Sequence, residues 1–135
     1  MPEPTVDLTV SITNIDHRDM LKDLLVSIRE NTHRITYEIV VIDNVSKDGS
    51  AQMVREEFPE VTVLELTERL GYGAAHNRAL PHFHGRYFLV FNEDMLVRPG
   101  ALDTMVEIMD REERLGALGC RQVKGDGSMV YTCSN

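Results

Sequence analysis

Residues 90 to 102, VFNEDMLVRPGAL, place oxygen ligands where a buried strand is expected to end. Asn92, Glu93 and Asp94 come directly after the apolar stretch RYFLVF, residues 86 to 91. Amide and carboxylate oxygens suit Mg²⁺ and Mn²⁺, which typically take one or two protein carboxylates and fill their other positions with water and phosphate oxygens. This triplet could therefore support metal-assisted binding of a phosphate compound.

Other polar residues follow apolar runs in the same way. Asn14 and Asp16 follow LTVSIT, and Thr67 to Arg69 follow VTVLEL. Asp43 is the last residue of YEIVVID, and Asn44 follows it. A single acidic turn is usually exposed to solvent and has no binding role. Several polar groups that converge on one edge of a sheet instead favour a binding site.

The elements that must position these residues alternate between strands and helices. Strands are predicted over residues 8–13, 37–43, 61–66 and 86–91. Apolar residues at the spacing i, i+3, i+4, i+7 predict helices between and after them, as in Leu21, Leu24, Leu25 and Ile28. Asp16 or Asp19 is expected to cap that first helix. The pattern predicts an α/β fold, an open doubly wound and mostly parallel sheet with helices on both faces.

The remaining segments have weaker patterns. Asp48, Gly49 and Ser50 are typical of a turn and helix cap. Gly71 and Gly73 precede a predicted helix whose N-terminus could receive an anion, and Arg69 stands beside them. Residues 115–123 and 128–133 predict a further strand and the start of an edge hairpin.

Composition limits the kinds of partner. The 135 residues correspond to a single domain, and the formal net charge is -8 with no basic cluster, which argues against nucleic acid. An anionic ligand would then need a cation or helix N-termini to hold it. No apolar run approaches the roughly 20 residues of a transmembrane helix, and the N-terminus is unlike a signal peptide. We therefore expect a cytoplasmic domain.

Three stretches, in this order, carry a resemblance to a known family. Residues 41–50 read VIDNVSKDGS, residues 68–77 read ERLGYGAAHN, and residues 92–102 read NEDMLVRPGAL. They resemble the family patterns VVDNxSxDGS, ENxGxAxxxN and NPDxxxxPGAL of the family 2 glycosyltransferases, which have the GT-A fold. The match covers the nucleotide-sugar-binding part of that family.

The resemblance implies roles for individual residues. Asp43 would contact the nucleotide base, and Asp94 would bind a Mn²⁺ or Mg²⁺ ion that bridges the diphosphate of a nucleoside diphosphate sugar. Asn92 would occupy the first position of the metal motif. Some candidate substrate-binding residues follow from the resemblance, and others only from their position at the polar strand ends. Together they are Asn14, Asp16, Asp43, Asn44, Arg69, Gly71, Asn77 and Asn92.

The chain departs from the family in two places. After the first strand it has Asn14, Ile15 and Asp16 where the family often has TYN. The family's catalytic base and acceptor-binding half follow the metal strand, whereas the late acidic residue Asp126 stands in an Asp-Gly turn. The expectation is a single donor-binding domain over residues 1–135 that lacks the acceptor-binding half. The catalytic residue stays unassigned.

Two functions remain open at this point. The first is the donor domain of an inverting glycosyltransferase that acts on a glycan, lipid or small-molecule acceptor, at the cytoplasmic membrane face if it belongs to a longer protein. The second is a non-catalytic nucleotide-sugar-binding or regulatory module. A phospho-acceptor receiver domain is disfavoured because its lone Asp after strand three is replaced by Glu65, Leu66 and Thr67.

Overall fold

The computed structural model describes residues 3–130. Strands and helices alternate along the chain, and a short 3₁₀ turn at Leu80–His82 follows the third helix. The elements are β1 (Val6–Asn14), α1 (Arg18–Asn31), β2 (Tyr37–Asp43), α2 (Ser50–Glu57), β3 (Thr62–Glu65), α3 (Tyr72–Ala79), β4 (Gly85–Asn92) and α4 (Ala101–Arg111).

The strands form one parallel sheet in the order β3-β2-β1-β4. The predicted open, doubly wound α/β fold is therefore confirmed. The register pairs Asn14 with Asp43 and Thr13 with Asn92, so the ends of β1, β2 and β4 are level. Strand order reverses between β1 and β4, which in such sheets is where ligands bind.

Helices cover both faces of the sheet, and the alternation along β1 explains how. Leu8, Val10 and Ile12 point into the main core, which α1, α2 and α4 complete. The predicted apolar face of α1 is buried there as expected. The opposite face is covered by α3, whose Ala75 and Ala79 pack on β2. Small residues let this helix approach the sheet closely.

Gly85 allows β4 to approach β1 at its first residue. A Cβ atom at this position would lie 2.4 Å from the backbone nitrogen of Thr9, too close for any side chain. The Gly85 N–H also donates to the Thr9 hydroxyl at 2.9 Å. The glycine therefore sets where β4 begins to pair with β1.

The predicted cap of α1 was wrong. His17 occupies the N-cap position without a side-chain hydrogen bond, and the Arg18 N–H donates to Oδ2 of Asp48 at 2.8 Å. The other oxygen of Asp48 accepts from the backbone and hydroxyl of Ser50, at the start of α2. One carboxylate thus holds the N-termini of two helices, which local sequence around α1 could not reveal.

Removing this carboxylate should destabilise the domain measurably. Asp48→Ala is expected to lower the free energy of unfolding by about 2 kcal/mol, because each lost cap typically costs about 1 kcal/mol. Burial opposes ionisation of Asp48, but hydrogen bonds from Ser50 and Arg18 outweigh it and lower the pKa of this carboxyl below its ordinary value. The stabilisation is therefore present above about pH 4 and lost as pH falls through the lowered pKa.

Urea unfolding at neutral and acidic pH measures this effect. The difference between wild type and Asp48→Ala should shrink at about pH 3. Asp19→Ala is the matched control, since Asp19 was the rival candidate cap and is exposed on the first turn of α1. An equal loss of stability in both variants would contradict the capping role.

The expected strand over residues 115–123 is absent from the described part of the chain. The segment is mostly exposed, and its glycines at 116 and 119 weaken strand formation. A single antiparallel bridge joins Val123 to Met129 around a turn in which Asp126 accepts from Ser128. The predicted hairpin is thus reduced to one bridge, and its end at residues 131–133 lies outside the described residues.

Candidate functional site

A cavity of about 310 Å³ lies between the carboxyl ends of β1 and β4, at the point where strand order reverses. Its wall combines polar strand ends with residues of the loops that follow them. The lining residues are Thr13, Asn14, Ile15, His17, Asn44, Leu70, Tyr72, Asn92, Glu93 and Asp94. Five of them were singled out from the sequence: Asn14, Asn44, Asn92, Glu93 and Asp94.

The other predicted residues lie around this cavity. Asp43 ends the strand beside Asn14 and opens to a neighbouring cavity of about 390 Å³. Gly71 is the N-cap residue of α3. Asn77 is exposed on α3 and does not line the cavity.

Asp16 and Arg69 form an exposed pair at the cavity's outer edge. Nη2 of Arg69 lies 3.5 Å from Oδ2 of Asp16. Both side chains are accessible to solvent, so the pair contributes little to stability. The guanidinium of Arg69 is exposed to solvent, and the next residue, Leu70, lines the cavity.

The loop that carries Asp94 is anchored to α1. The backbone of Val97, which is buried, is bound on both sides: its N–H donates to Ser27 Oγ at 2.9 Å, and its carbonyl accepts from Asn31 Nδ2 at 2.8 Å. Gly100 donates in turn to the Asn31 carbonyl. Both ends of this acidic loop, which carries Glu93 and Asp94, are therefore fixed, one by β4 and the other by α1.

Asn44 anchors the opposite wall. Its carboxamide donates to the Leu70 carbonyl at 2.8 Å and accepts from the Leu70 N–H at 3.0 Å. Asn44 is 3% exposed, and both of its polar atoms are used in this contact. In this structure its side chain therefore positions the loop before α3, and this loop carries Arg69 and Gly71.

The loops after β1 and β2 hold each other in strained conformations. Asp16 has a φ of 54° and Val45 a φ of 63°, values that a β-branched residue such as Val45 rarely adopts. Ser46 Oγ accepts from the Asp16 N–H, and the Asp16 carboxylate accepts from the Lys47 N–H. Such strain typically costs about 1 to 3 kcal/mol per residue and is concentrated at functional sites.

His17 links the start of α1 to the acidic loop. Its Nδ1 lies 2.6 Å from Oε1 of Glu93. This hydrogen bond raises the pKa of His17, and the nearby charges of Asp94 and Asp16 add to the effect. Protonated His17 therefore offsets part of the negative charge beside Asp94.

His76 lies beneath the cavity wall, between α3 and the sheet. Its Nδ1 is 2.6 Å from the Ser11 hydroxyl, and burial lowers its pKa. Its ring meets the edge of Tyr72, with the ring centroids 4.5 Å apart. His76 thereby supports Tyr72, which lines the cavity, rather than reaching the cavity itself.

Sequence reasoning missed several lining residues. They are Thr13, Ile15, His17, Leu70 and Tyr72. Each is directly adjacent in sequence to a residue that was predicted, so position next to a polar strand end was the available signal. Residue type was not a usable signal, since three of the five are apolar or aromatic.

The donor atoms fit a cation that binds together with a phosphate ligand. Within residues 3–130 no three acidic, histidine or cysteine side chains are close enough to hold a metal by themselves. Glu93 is hydrogen bonded to His17, which leaves the exposed carboxylate of Asp94 and the amide of Asn92. Mn²⁺ or Mg²⁺ commonly needs only one or two carboxylates when phosphate oxygens supply the rest.

The fold and the edge site define a class of protein. Among solved structures, S. aureus TarS in complex with UDP superimposes with a TM-score of 0.72 at 22% identity, over 79% of this chain and 33% of that one. The mannosyltransferase PcManGT of Pyrobaculum calidifontis, in complex with GDP-Man and Mn²⁺, has a TM-score of 0.64 at 32% identity, over 78% and 32%. The architecture is that of the GT-A glycosyltransferases.

The sequence model of glycosyl transferase family 2 matches residues 9–133, and the chain belongs to that family. Among curated relatives, the N-acetylglucosaminyl-diphospho-decaprenol L-rhamnosyltransferase of Mycobacterium tuberculosis is 30% identical over 81% of this chain and 39% of its own length. The dolichol-phosphate mannosyltransferase of Pyrococcus furiosus is 29% identical over 87% and 34%. The chain thus spans between a third and two fifths of these relatives.

None of the helices within residues 3–130 has the length and apolar character required to cross a membrane.

Proposed function

We propose that this chain binds a nucleoside diphosphate sugar together with Mn²⁺ or Mg²⁺, as the donor-binding domain of an inverting glycosyltransferase. The observation that carries the proposal is the cavity between β1 and β4, where Asn92 and Asp94 meet Asn14 in a chain of family 2. The GDP-Man and Mn²⁺ in the PcManGT structure support the same kind of ligand. The acceptor would be a glycan, a lipid or a small molecule.

Charge explains why a cation is part of the proposal. The chain carries a net charge of -8, and the cavity wall includes Glu93 and Asp94. A diphosphate would be repelled from such a wall unless a cation stood between them. A divalent ion held by Asp94 would supply electrostatic stabilisation of the diphosphate leaving group.

The chain's own residues would orient the rest of the donor. Asp43 lies one strand away from the cavity and would accept from the nucleotide base. Arg69 and the N-terminus of α3 at Gly71 would face the anionic part of the ligand. Asn92 would stand beside the metal position, and Asn44 would hold the loop that carries Arg69. Asn77, exposed on α3, would lie along the nucleotide and donor-sugar side.

Isothermal titration calorimetry tests the proposal directly. UDP, GDP and dTDP should be titrated into the chain with Mn²⁺, with Mg²⁺ and with a chelator. We expect binding of at least one nucleoside diphosphate that disappears in the chelator. Equal affinity with and without metal would contradict the role given to Asp94.

A further inference from the structure

Glu93 and Asp94 stand side by side in the turn after β4, but the protein engages them differently. Both line the cavity between β1 and β4. Oε1 of Glu93 lies 2.6 Å from Nδ1 of His17, and the Glu93 side chain is only 14% exposed. Asp94 is exposed. One carboxylate of the pair is therefore occupied by a protein donor, while the other is open to a ligand.

The backbone of His17 directs its ring across the cavity. His17 is the N-cap residue of α1, and its carbonyl accepts from the Leu21 N–H at 2.9 Å. The next residue, Arg18, donates its N–H to Asp48 at 2.8 Å. The ring itself makes no capping hydrogen bond. The helix therefore does not need the His17 side chain, which is free to serve Glu93.

The turn that carries Glu93 is held at both ends. Before it, Asn92 pairs with Thr13 of β1. Beyond it, Val97 is buried, and its N–H and carbonyl are both bound to side chains of α1. Since both partners lie on fixed backbone, the bond between His17 and Glu93 spans the crevice between the loops after β1 and β4.

This hydrogen bond does not require a charged histidine. A carboxylate only accepts, so Nδ1 of His17 must carry a proton. Both the imidazolium and the neutral ring with its proton on Nδ1 satisfy that requirement. A cation on the second oxygen of Glu93 would lie close to this N–H dipole and be repelled by it. The contact therefore makes Glu93 a poorer ligand than Asp94.

The ligands that remain are too few to retain a bare ion. Within residues 3–130 no three acidic, histidine or cysteine side chains are placed to hold a metal. The number of charged ligands is a main determinant of the affinity of a protein for a hard cation. An ion held by Asp94 and Asn92 would thus depend on phosphate oxygens, whereas a second carboxylate would let it bind without them.

We infer that His17 is a positioning residue that withholds Glu93 from the cation, so that Mn²⁺ or Mg²⁺ enters the site only together with a diphosphate. The inference rests on the proposed metal-dependent binding of a nucleoside diphosphate and adds how that binding is controlled. The ion and the nucleotide would arrive together and leave together, and the empty site would stay free of metal.

Electron paramagnetic resonance of Mn²⁺, which measures unbound ion, tests the inference in the absence of nucleotide. The wild-type chain should bind Mn²⁺ weakly. His17→Ala should bind it about tenfold or more tightly, because Glu93 becomes a second carboxylate ligand. The double variant His17→Ala with Glu93→Gln should lose this gain.

Two further variants separate the hydrogen bond from other effects of the histidine. His17→Asn keeps a neutral N–H donor at about the position of Nδ1 and should restore weak binding of Mn²⁺. A gain in His17→Asn equal to that in His17→Ala would assign the effect to charge and contradict the inference. His33→Ala removes an exposed histidine that contacts the Glu30 carbonyl, and it should bind Mn²⁺ like the wild type.

Other outcomes would also overturn the inference. Tight binding of Mn²⁺ by the wild-type chain without nucleotide would do so and needs no variant. Weaker binding in His17→Ala would show that the histidine supports the metal site. Calorimetry with Mn²⁺ and UDP or GDP separates the two proposals. If diphosphate binds but His17→Ala behaves like the wild type, only the inference fails. If no diphosphate binds, the proposed function fails as well.

Discussion

Asp94→Ala will abolish metal-dependent binding of nucleoside diphosphates while leaving the fold intact. Asp94 is exposed at the end of the acidic loop, so its removal leaves no buried partner unpaired. The loop itself is held through the backbone of Val97 by Ser27 and Asn31. We expect affinity in Mn²⁺ to fall about a hundredfold or more, because metal-mediated stabilisation of charge is worth several kcal/mol.

The control for this variant is Asp23→Ala, which removes the same charge from an exposed position on α1. It should titrate like the wild type, and both variants should unfold at the wild-type temperature. If Asp94→Ala bound diphosphate with unchanged affinity and metal dependence, the acidic loop would be a structural turn and the site would lie elsewhere.

Asn44→Leu is expected to have the largest effect on stability among substitutions at the cavity. Leucine has the same branched arrangement of side-chain heavy atoms as asparagine but leaves the N–H and carbonyl of Leu70 without partners. Each unpaired buried group costs about 1 to 3 kcal/mol, so the free energy of unfolding should fall by about 2 to 4 kcal/mol, given that Leu70 is only partly buried. Diphosphate binding should weaken too, because the loop carries Arg69.

Chemical denaturation of Asn44→Leu beside Asn77→Ala measures this effect. Asn77 is exposed on α3, and substitutions at such positions usually change stability by less than about 0.5 kcal/mol. Wild-type stability in Asn44→Leu would mean that the loop before α3 is held by other contacts. A stability loss with unchanged nucleotide affinity would remove the loop from the binding site.

The sheet was predictable because its signals are local and repeated. The four strands are apolar runs, and they alternate with segments whose apolar residues have helical spacing. Parallel strands that are joined through a helix almost always have right-handed connections, which leaves few possible topologies. Polar residues at strand ends then had to fall on one edge. The family motifs over residues 41–50, 68–77 and 92–102 added the expected roles.

The contacts between loops were not predictable, because they join residues far apart in sequence. Asp48 caps α1 across an interval of 30 residues, and local reasoning assigned that cap to Asp16 or Asp19 instead. Residues 115–123 were misjudged for a different reason. They contain enough apolar residues for a strand, but their glycines and exposed position leave a single bridge.

The prediction of the site was limited in the same way. Carboxylates and amides could be predicted as site residues because their chemistry suits ligand binding. Ile15, Leu70 and Tyr72 could not, because they line the cavity only where loops fold over the sheet edge. The predicted roles of individual residues, including Asp43 and Asp94, stay predictions until the titrations above are made.

The outer strand β4 has a practical consequence for handling this protein. It pairs with β1 on one side, and no strand within residues 3–130 pairs with the other. Phe88 is 65% exposed and Val90 42% exposed on the same strand. An unpaired edge beside exposed apolar side chains is a template for intermolecular strand pairing and aggregation. We therefore expect self-association to increase with chain concentration, and Val90→Lys should reduce it, because a charged side chain on an outer strand disfavours intermolecular pairing.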